Sequence, residues 1–236
     1  MNKLAVFVEG YTEVVFVEKL VEEIAGEQNV LIEHREIRGG GARSGSRRTF
    51  AQVRAARPET GERYYVLIVD CGGDQLVKTR ILEEHERFDR GGYQKIIGLR
   101  DVRPDFTHAD IPRLRRELPH YIRASLIPVE WVLAILEVEA WFLTEATHFP
   151  RIDPAITTAA IHATLGFNPE TDPMDQRLTP ADDMNDCYQI GGQVYQKGNA
   201  PTTVNALDIP LVYLGLSERI PDLKNLCDSI SAFLRS

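Results

Sequence analysis

The sequence predicts an α/β fold, a mainly parallel sheet with helices on both faces, and three observations predict it. Along the first 146 residues, short apolar runs alternate with stretches of helical period, the pattern of repeated βαβ units. One run, Tyr64-Tyr65-Val66-Leu67-Ile68-Val69, is apolar throughout, as a strand buried on both faces must be. Four of the runs close on an acid, Glu9, Asp70, Asp101 and Glu137, and in a parallel sheet such ends share one edge.

The first strand is expected over 3–9, where Leu4-Ala5-Val6-Phe7-Val8 leads into Glu9-Gly10, and the amphipathic run from Val14 to Ile24 supplies a helix over 13–26. Further strands are expected at 30–37, 64–70, 95–101 and 131–136, with helices between them at 47–57, 75–89 and 110–121. After Glu145 the texture turns helical. Asp153-Pro154 reads as a helix start with Asp as cap and Pro at the first position, and Ala155 to Leu165 keeps helical spacing. Thr179-Pro180 opens another helix, and an amphipathic one closes the chain from about Ser217 to Leu234. The expected organisation is a domain over 1–146 and a helical C-terminal appendage, 147–236, packed on the sheet.

With 236 residues, 43% of them hydrophobic, the chain can bury a sizeable core. Cys71, Cys187 and Cys227 are odd in number and lack paired spacing, which argues against a disulfide framework or a structural zinc site. With no signal-peptide pattern and no apolar run of spanning length, the expectation is a cytoplasmic protein without membrane contact. Net charge is −8, but it is unevenly spread. Seven arginines fall between Arg35 and Arg57 against the single acid Glu36, whereas eleven acids fall between Glu130 and Asp186 against Arg151 and Arg177. The first region suits phosphate; the second suits a cation or a basic partner.

Two turns carry the candidate chemistry. In Glu9-Gly10-Tyr11-Thr12-Glu13, Gly10 allows close backbone approach, Thr12 can cap the helix, and Glu13 is held near Glu9. In Asp70-Cys71-Gly72-Gly73-Asp74, two aspartates flank a turn and can reach one hard cation, which takes oxygen ligands. The first turn is equally readable as a capped helix start with Glu13 favourable to the helix dipole; in the second, Asp70 reads as functional, and the alternative is a turn with Asp74 as N-cap of the following helix. None of the six histidines has a partner at metal-ligand spacing. The stretch Arg38-Gly39-Gly40-Gly41-Ala42-Arg43-Ser44-Gly45-Ser46-Arg47-Arg48 lacks the ending of a nucleotide-triphosphate loop. Its glycines and arginines instead suit a nucleic-acid backbone, with Arg38, Arg43, Arg47 and Arg48 as the contacts.

Taken together, the Glu-Gly-x-Thr-Glu turn after the first strand, the aspartate turn after a later central strand and a late acid motif resemble the TOPRIM domain. The closest form is that of the nucleases of the overcoming-lysogenization-defect type and their small stand-alone relatives. The resemblance covers roughly 1–146. It implies a nuclease dependent on one or two Mg²⁺ or Mn²⁺ ions, with Glu9, Glu13 and Asp70 matching the family's acids. In Leu136-Glu137-Val138-Glu139-Ala140-Trp141, Glu137 and Glu139 resemble the late acid motif. Many TOPRIM members carry Asp-x-Asp; here the second aspartate is displaced to Asp74, and Asp101 is the other candidate for that ligand. A weaker echo over Gly192 to Lys197 makes Lys197 the candidate for the family's phosphate-assisting lysine, against the alternative of a solvated surface lysine. The resemblance further implies bacterial anti-phage defence and an ABC-type ATPase partner, since this chain has no Walker motif. The competing expectation is a non-catalytic TOPRIM-like subunit that binds nucleic acid or a partner. Oligomeric state stays open, a homo-oligomer included.

Overall fold

The computed structural model describes residues 1–39, 49–55, 61, 63–73 and 76–236. Among these, β1 (Asn2–Val8), β2 (Val30–Arg38), β3 (Thr49–Arg54), β4 (Tyr64–Asp70), β5 (Lys95–Asp101) and β6 (Val129–Ala134) form one sheet in the order β3-β2-β4-β1-β5-β6. Every pairing is parallel except β2 with β3. The uniformly apolar β4 lies between β2 and β1, where no face or edge meets water.

Alternation along β1 divides the interior. Leu4, Val6 and Val8 join one core with the apolar side of α1 (Tyr11–Ala25), including Phe16, Val17 and Leu20. Ala5 and Phe7 join a second core with Val77, Ile81 and Phe88 of α2 (Leu76–Arg90). The helix α3 (Ile111–Glu117) and the end of β6 enclose a third cluster around Val102 and Leu114. Gly98 on β5 is set by close packing: a Cβ there would lie 2.6 Å from the Trp131 ring of β6 and 2.8 Å from Ile81 of α2.

The rest of the chain is helical: α4 (Glu139–Thr144), α5 (Phe149–Ile152), α6 (Thr158–Leu165), α7 (Pro180–Ile190), α8 (Ala200–Ala206), α9 (Ile209–Leu211) and α10 (Pro221–Leu234). These helices share the α1-side core with the sheet through Trp141, Phe149, Tyr188, Leu226 and Ile230. All three cysteines are buried free thiols. Among the described residues no helix is long and apolar enough to cross a membrane.

Three sequence expectations need correction. Residues 49–54, expected within a helix, are the edge strand β3: Ile37 pairs Phe50 and Arg35 pairs Gln52, so the hairpin satisfies the otherwise open edge of β2. The helix expected from Asp153-Pro154 begins at Thr158, capped by Thr157, whose hydroxyl accepts from the Ala160 amide at 3.1 Å. Asp153 instead closes a turn on the Ala155 amide at 2.9 Å. The last strand runs Val129–Ala134, so Glu137 lies in the turn beyond it and does not end the strand.

Candidate functional site

Strand order puts a switch point at the carboxyl edge. From β1 the chain crosses toward β2 on one side, whereas from its neighbour β5 it proceeds to β6 on the other, and crevices at such divergences are where open α/β sheets bind ligands. Glu9 follows β1 and Asp101 ends β5 at this crevice. A cavity of about 230 Å³ opens there, lined by Glu9, Glu13, Asp101 and Lys197 together with Tyr11 and Thr12.

The turn into α1 is built differently from the sequence expectation. Gly10 is extended at φ −160°, and a Cβ there would meet only Glu13 Oε2, at an ordinary 3.7 Å, so no close approach demands glycine. Thr12 does not cap α1; its hydroxyl donates to the Lys197 carbonyl at 3.3 Å. The capping partner is Glu13, whose Oε2 accepts the Gly10 N–H at 3.1 Å. This contact holds the Glu13 carboxyl back over the turn, beside Glu9.

A second turn brings in the late acids. Leu136 stands at φ 59°, a left-handed conformation costly for a bulky residue. Its carbonyl there accepts two amides, Val102 at 3.1 Å and Arg103 at 2.9 Å, which holds the strained residue in place. The chain thereby folds back, and Asp101 Oδ1 accepts the Val138 amide at 3.1 Å. Glu139, at the start of α4, is fully buried: its Oε1 accepts from Tyr195 Oη at 2.7 Å, and Oε2 is buried with no hydrogen-bond partner. Glu137 Oε2 accepts the Ala181 amide in the first turn of α7 at 3.0 Å, favourable to that helix's dipole.

Lys197 is the cation of the site, its Nζ 3.4 Å from Glu137 Oε1 and 3.7 Å from Glu139 Oε1. Burial opposes its charge, but Glu139, Asp101, Glu137 and Glu13 outweigh burial and hold its pKa above the usual lysine value. Arg100 Nε lies 3.8 Å from Glu9 Oε1. The acids are strongly perturbed. Glu13 is pushed up to about 7, first by burial and then by the charge of Glu139. Asp101 is raised well above the usual range by burial and by repulsion from Glu13, Glu9 and Glu139. Glu139 is raised by burial, against the pull of Lys197 and the Tyr195 hydrogen bond.

Of the sequence candidates, Glu9, Glu13, Asp101 and Lys197 line one cleft, with Glu137 and Glu139 behind Lys197. Asp70 pairs with Val8 at the neighbouring strand end but is not among the residues lining the cleft. Its Oδ1 accepts the Gly72 amide at 2.8 Å, and its pKa is raised by burial and by Glu36. Arg38 is exposed and pairs with Glu36 at 2.7 Å. Asp74, Arg43, Arg47 and Arg48 lie outside the described residues. Sequence reasoning missed Tyr195 as the donor to Glu139 and Arg100 as the neighbour of Glu9.

The donor set consists of hard carboxyl oxygens, and the buried Glu139 Oε2 without a hydrogen-bond partner adds another acceptor, so its chemistry fits a hard divalent cation that would displace the protons the raised pKa values keep there. Among the described residues, no three Asp, Glu, His or Cys side chains are yet gathered closely enough to hold a metal ion. Comparison of the chain with protein-family models, with curated proteins and with solved structures returned no match.

Proposed function

We propose that this chain is a metal-dependent phosphodiesterase acting on nucleic acid, with a TOPRIM-like catalytic domain. One observation carries the reading: Glu9, Glu13 and Asp101 are buried around a single cleft at the sheet's switch point, two of them with raised pKa values, and Lys197 lines it with them. Perturbed carboxyls in a cleft are the physical mark of a working site.

Mg²⁺ or Mn²⁺, held by Glu9, Glu13 and Asp101, would supply Lewis acidity toward the phosphodiester and stabilise its leaving oxygen. Glu13, with a pKa near neutrality, is suited to exchange a proton during the reaction. Lys197 is half exposed and can turn its ammonium toward a phosphate while Thr12 anchors its backbone. Arg100 steadies the Glu9 carboxylate. Nucleic acid as substrate, an ABC-type ATPase as partner, anti-phage defence as the setting and the cytoplasm as the location all rest on the TOPRIM resemblance.

The test is cleavage of DNA and RNA, single-stranded and duplex, with added Mg²⁺ or Mn²⁺. Loss of cleavage in Glu9→Ala and in Asp101→Asn supports the proposal; cleavage persisting in both overturns it. Asp70→Ala, compared alongside, measures whether the neighbouring strand end takes part.

A second reading, a non-catalytic subunit that binds nucleic acid or a partner, is favoured by Lys197 itself, which already pairs with Glu137 and Glu139. Calorimetry separates the two: absence of Mn²⁺ binding at millimolar concentration, with nucleic-acid or partner binding intact, selects the second.

A further inference from the structure

On the α2 side of the sheet, a pocket of about 280 Å³ lies between strands β2 and β3 and the last turns of α2. Its walls combine three cations, Lys3, Arg35 and Arg87, with the rings of Phe50, Phe88 and Tyr93. We propose that this pocket binds a nucleotide unit, its phosphate met by the cations and its base stacked on the rings, either as a free nucleotide or within a single strand.

The rings are placed for stacking. Phe50 and Tyr93 are both partly accessible, and the buried Phe88 backs Tyr93 with its ring tilted 51° at a centroid distance of 4.6 Å. Two cations already sit over ring faces, the Arg87 guanidinium 4.8 Å from the Phe50 centroid and Lys3 Nζ 5.7 Å from that of Tyr93. A ring face that attracts a cation also accepts a base, and a cation beside it meets the phosphate attached to that base.

The charge count favours an anion. Glu33, the carboxylate nearest Arg35, is fully engaged, accepting from Arg35 Nε at 2.5 Å, Gln52 Nε2 at 2.9 Å and Tyr65 Oη at 2.7 Å. Glu84 pairs with Arg87 along α2 at 3.3 Å, where Arg87 is well exposed. Lys3 donates to the Gly91 carbonyl at 2.9 Å, and among the described residues no carboxylate pairs with it. Among the described residues, two acids pair with two of the three cations, and Lys3 is left to meet an anion.

Size and position fix the occupant further. The volume is at the lower end of small-ligand sites, room for one nucleotide unit. The pocket and the acidic cleft have no lining residue in common, and Lys3, Ala5 and Phe7 of β1 alternate onto the α2 side of the sheet, so the two are separate.

Binding is tested on the full chain in EDTA, which keeps divalent metal from the cleft, using adenosine 5′-monophosphate and a short single-stranded oligodeoxyadenylate as probes. Ribose 5-phosphate and adenosine serve as half-ligand controls. The expected result is saturable binding of at least one probe, weakened about tenfold by Phe50→Ala and by Arg87→Gln, with both half-ligands weaker. Binding of the mononucleotide identifies a free nucleotide as the source; binding of the oligonucleotide alone identifies a strand. No saturable binding of either probe, or affinities unchanged in Arg87→Gln, overturns the proposal. Arg87 is on an exposed helix face, so that variant remains informative even where Phe50→Ala disturbs the edge strand. Because no metal is present, failure here leaves the cleavage test untouched, and failure of cleavage leaves this result untouched.

Discussion

Glu33 and Glu13 are almost equally buried, at 6% and 4% exposure, yet burial ends differently for each. For Glu33, desolvation is outweighed by hydrogen bonds from Tyr65, Arg35 and Gln52 and by the charge of Arg35, and its pKa falls below the usual value. Glu13 accepts the Gly10 amide and faces Glu139, and its pKa rises to about 7. The difference lies in the supply of donors together with the deeper desolvation of Glu13. A buried acid with donors on both oxygens is part of the architecture; a buried acid among other acids retains unmet demand for positive charge. That demand makes the carboxyl edge, and not the β2–β3 network, the candidate for cation chemistry.

The largest expected effect would break this comparison outright. Glu13→Ala and Asp101→Asn should each lower metal-dependent cleavage by at least about a hundredfold, while Glu33→Gln should leave it within a few-fold of wild type. Steady-state rates on one substrate check this. Equal losses at both places would remove the distinction.

Next is the pH dependence of stability in chelator, where the two residues carry opposite signs. Between about 4.5 and 7 native Glu13 keeps a proton that the unfolded chain has released, so its own contribution to stability falls as pH rises through this window and is constant above it. That part of the loss is on the order of 3 kcal/mol, and Glu13→Gln should remove it in urea melts across pH, leaving the slope that Asp101 and Glu139 supply. Glu33, with its lowered pKa, contributes stability that is present at neutral pH and lost as pH falls through that value. A profile that Glu13→Gln leaves unchanged would place the shift elsewhere.

Smaller effects sharpen the picture. Glu33→Leu strands the Tyr65 hydroxyl and leaves Arg35 to water, and should cost about 2 kcal/mol in denaturant melts. Tyr195→Phe removes the hydroxyl donor to Glu139 and should cost about 1 kcal/mol by the same measurement, since Lys197 still faces that carboxylate.

Much of the frame was legible in the chain. The apolar runs closing on Glu9, Asp70 and Asp101 mark β1, β4 and β5 to within a residue, because a strand covered on both faces is apolar along most of its length. The edge strand β3 was not legible. Thr49-Phe50-Ala51-Gln52-Val53-Arg54 is short and half polar, and its strand state follows from the free edge of β2. The acids Glu9, Glu13 and Asp101 could be chosen from the sequence as strand-end or turn residues. Which of them would share a cleft could not, since that depends on β5 lying beside β1.

The linear sequence by itself determined the parallel α/β frame and the delivery of acids to its carboxyl edge, because both follow from local patterning. Only the tertiary structure decided which donors each acid receives. It places Tyr195 against Glu139 across 56 residues and Lys197 against Glu137 across 60. It also turns Asp70 into a Gly72 contact beside the cleft. The physical reason is that a buried carboxylate is defined by the donors around it, and those donors come from segments far apart in the chain.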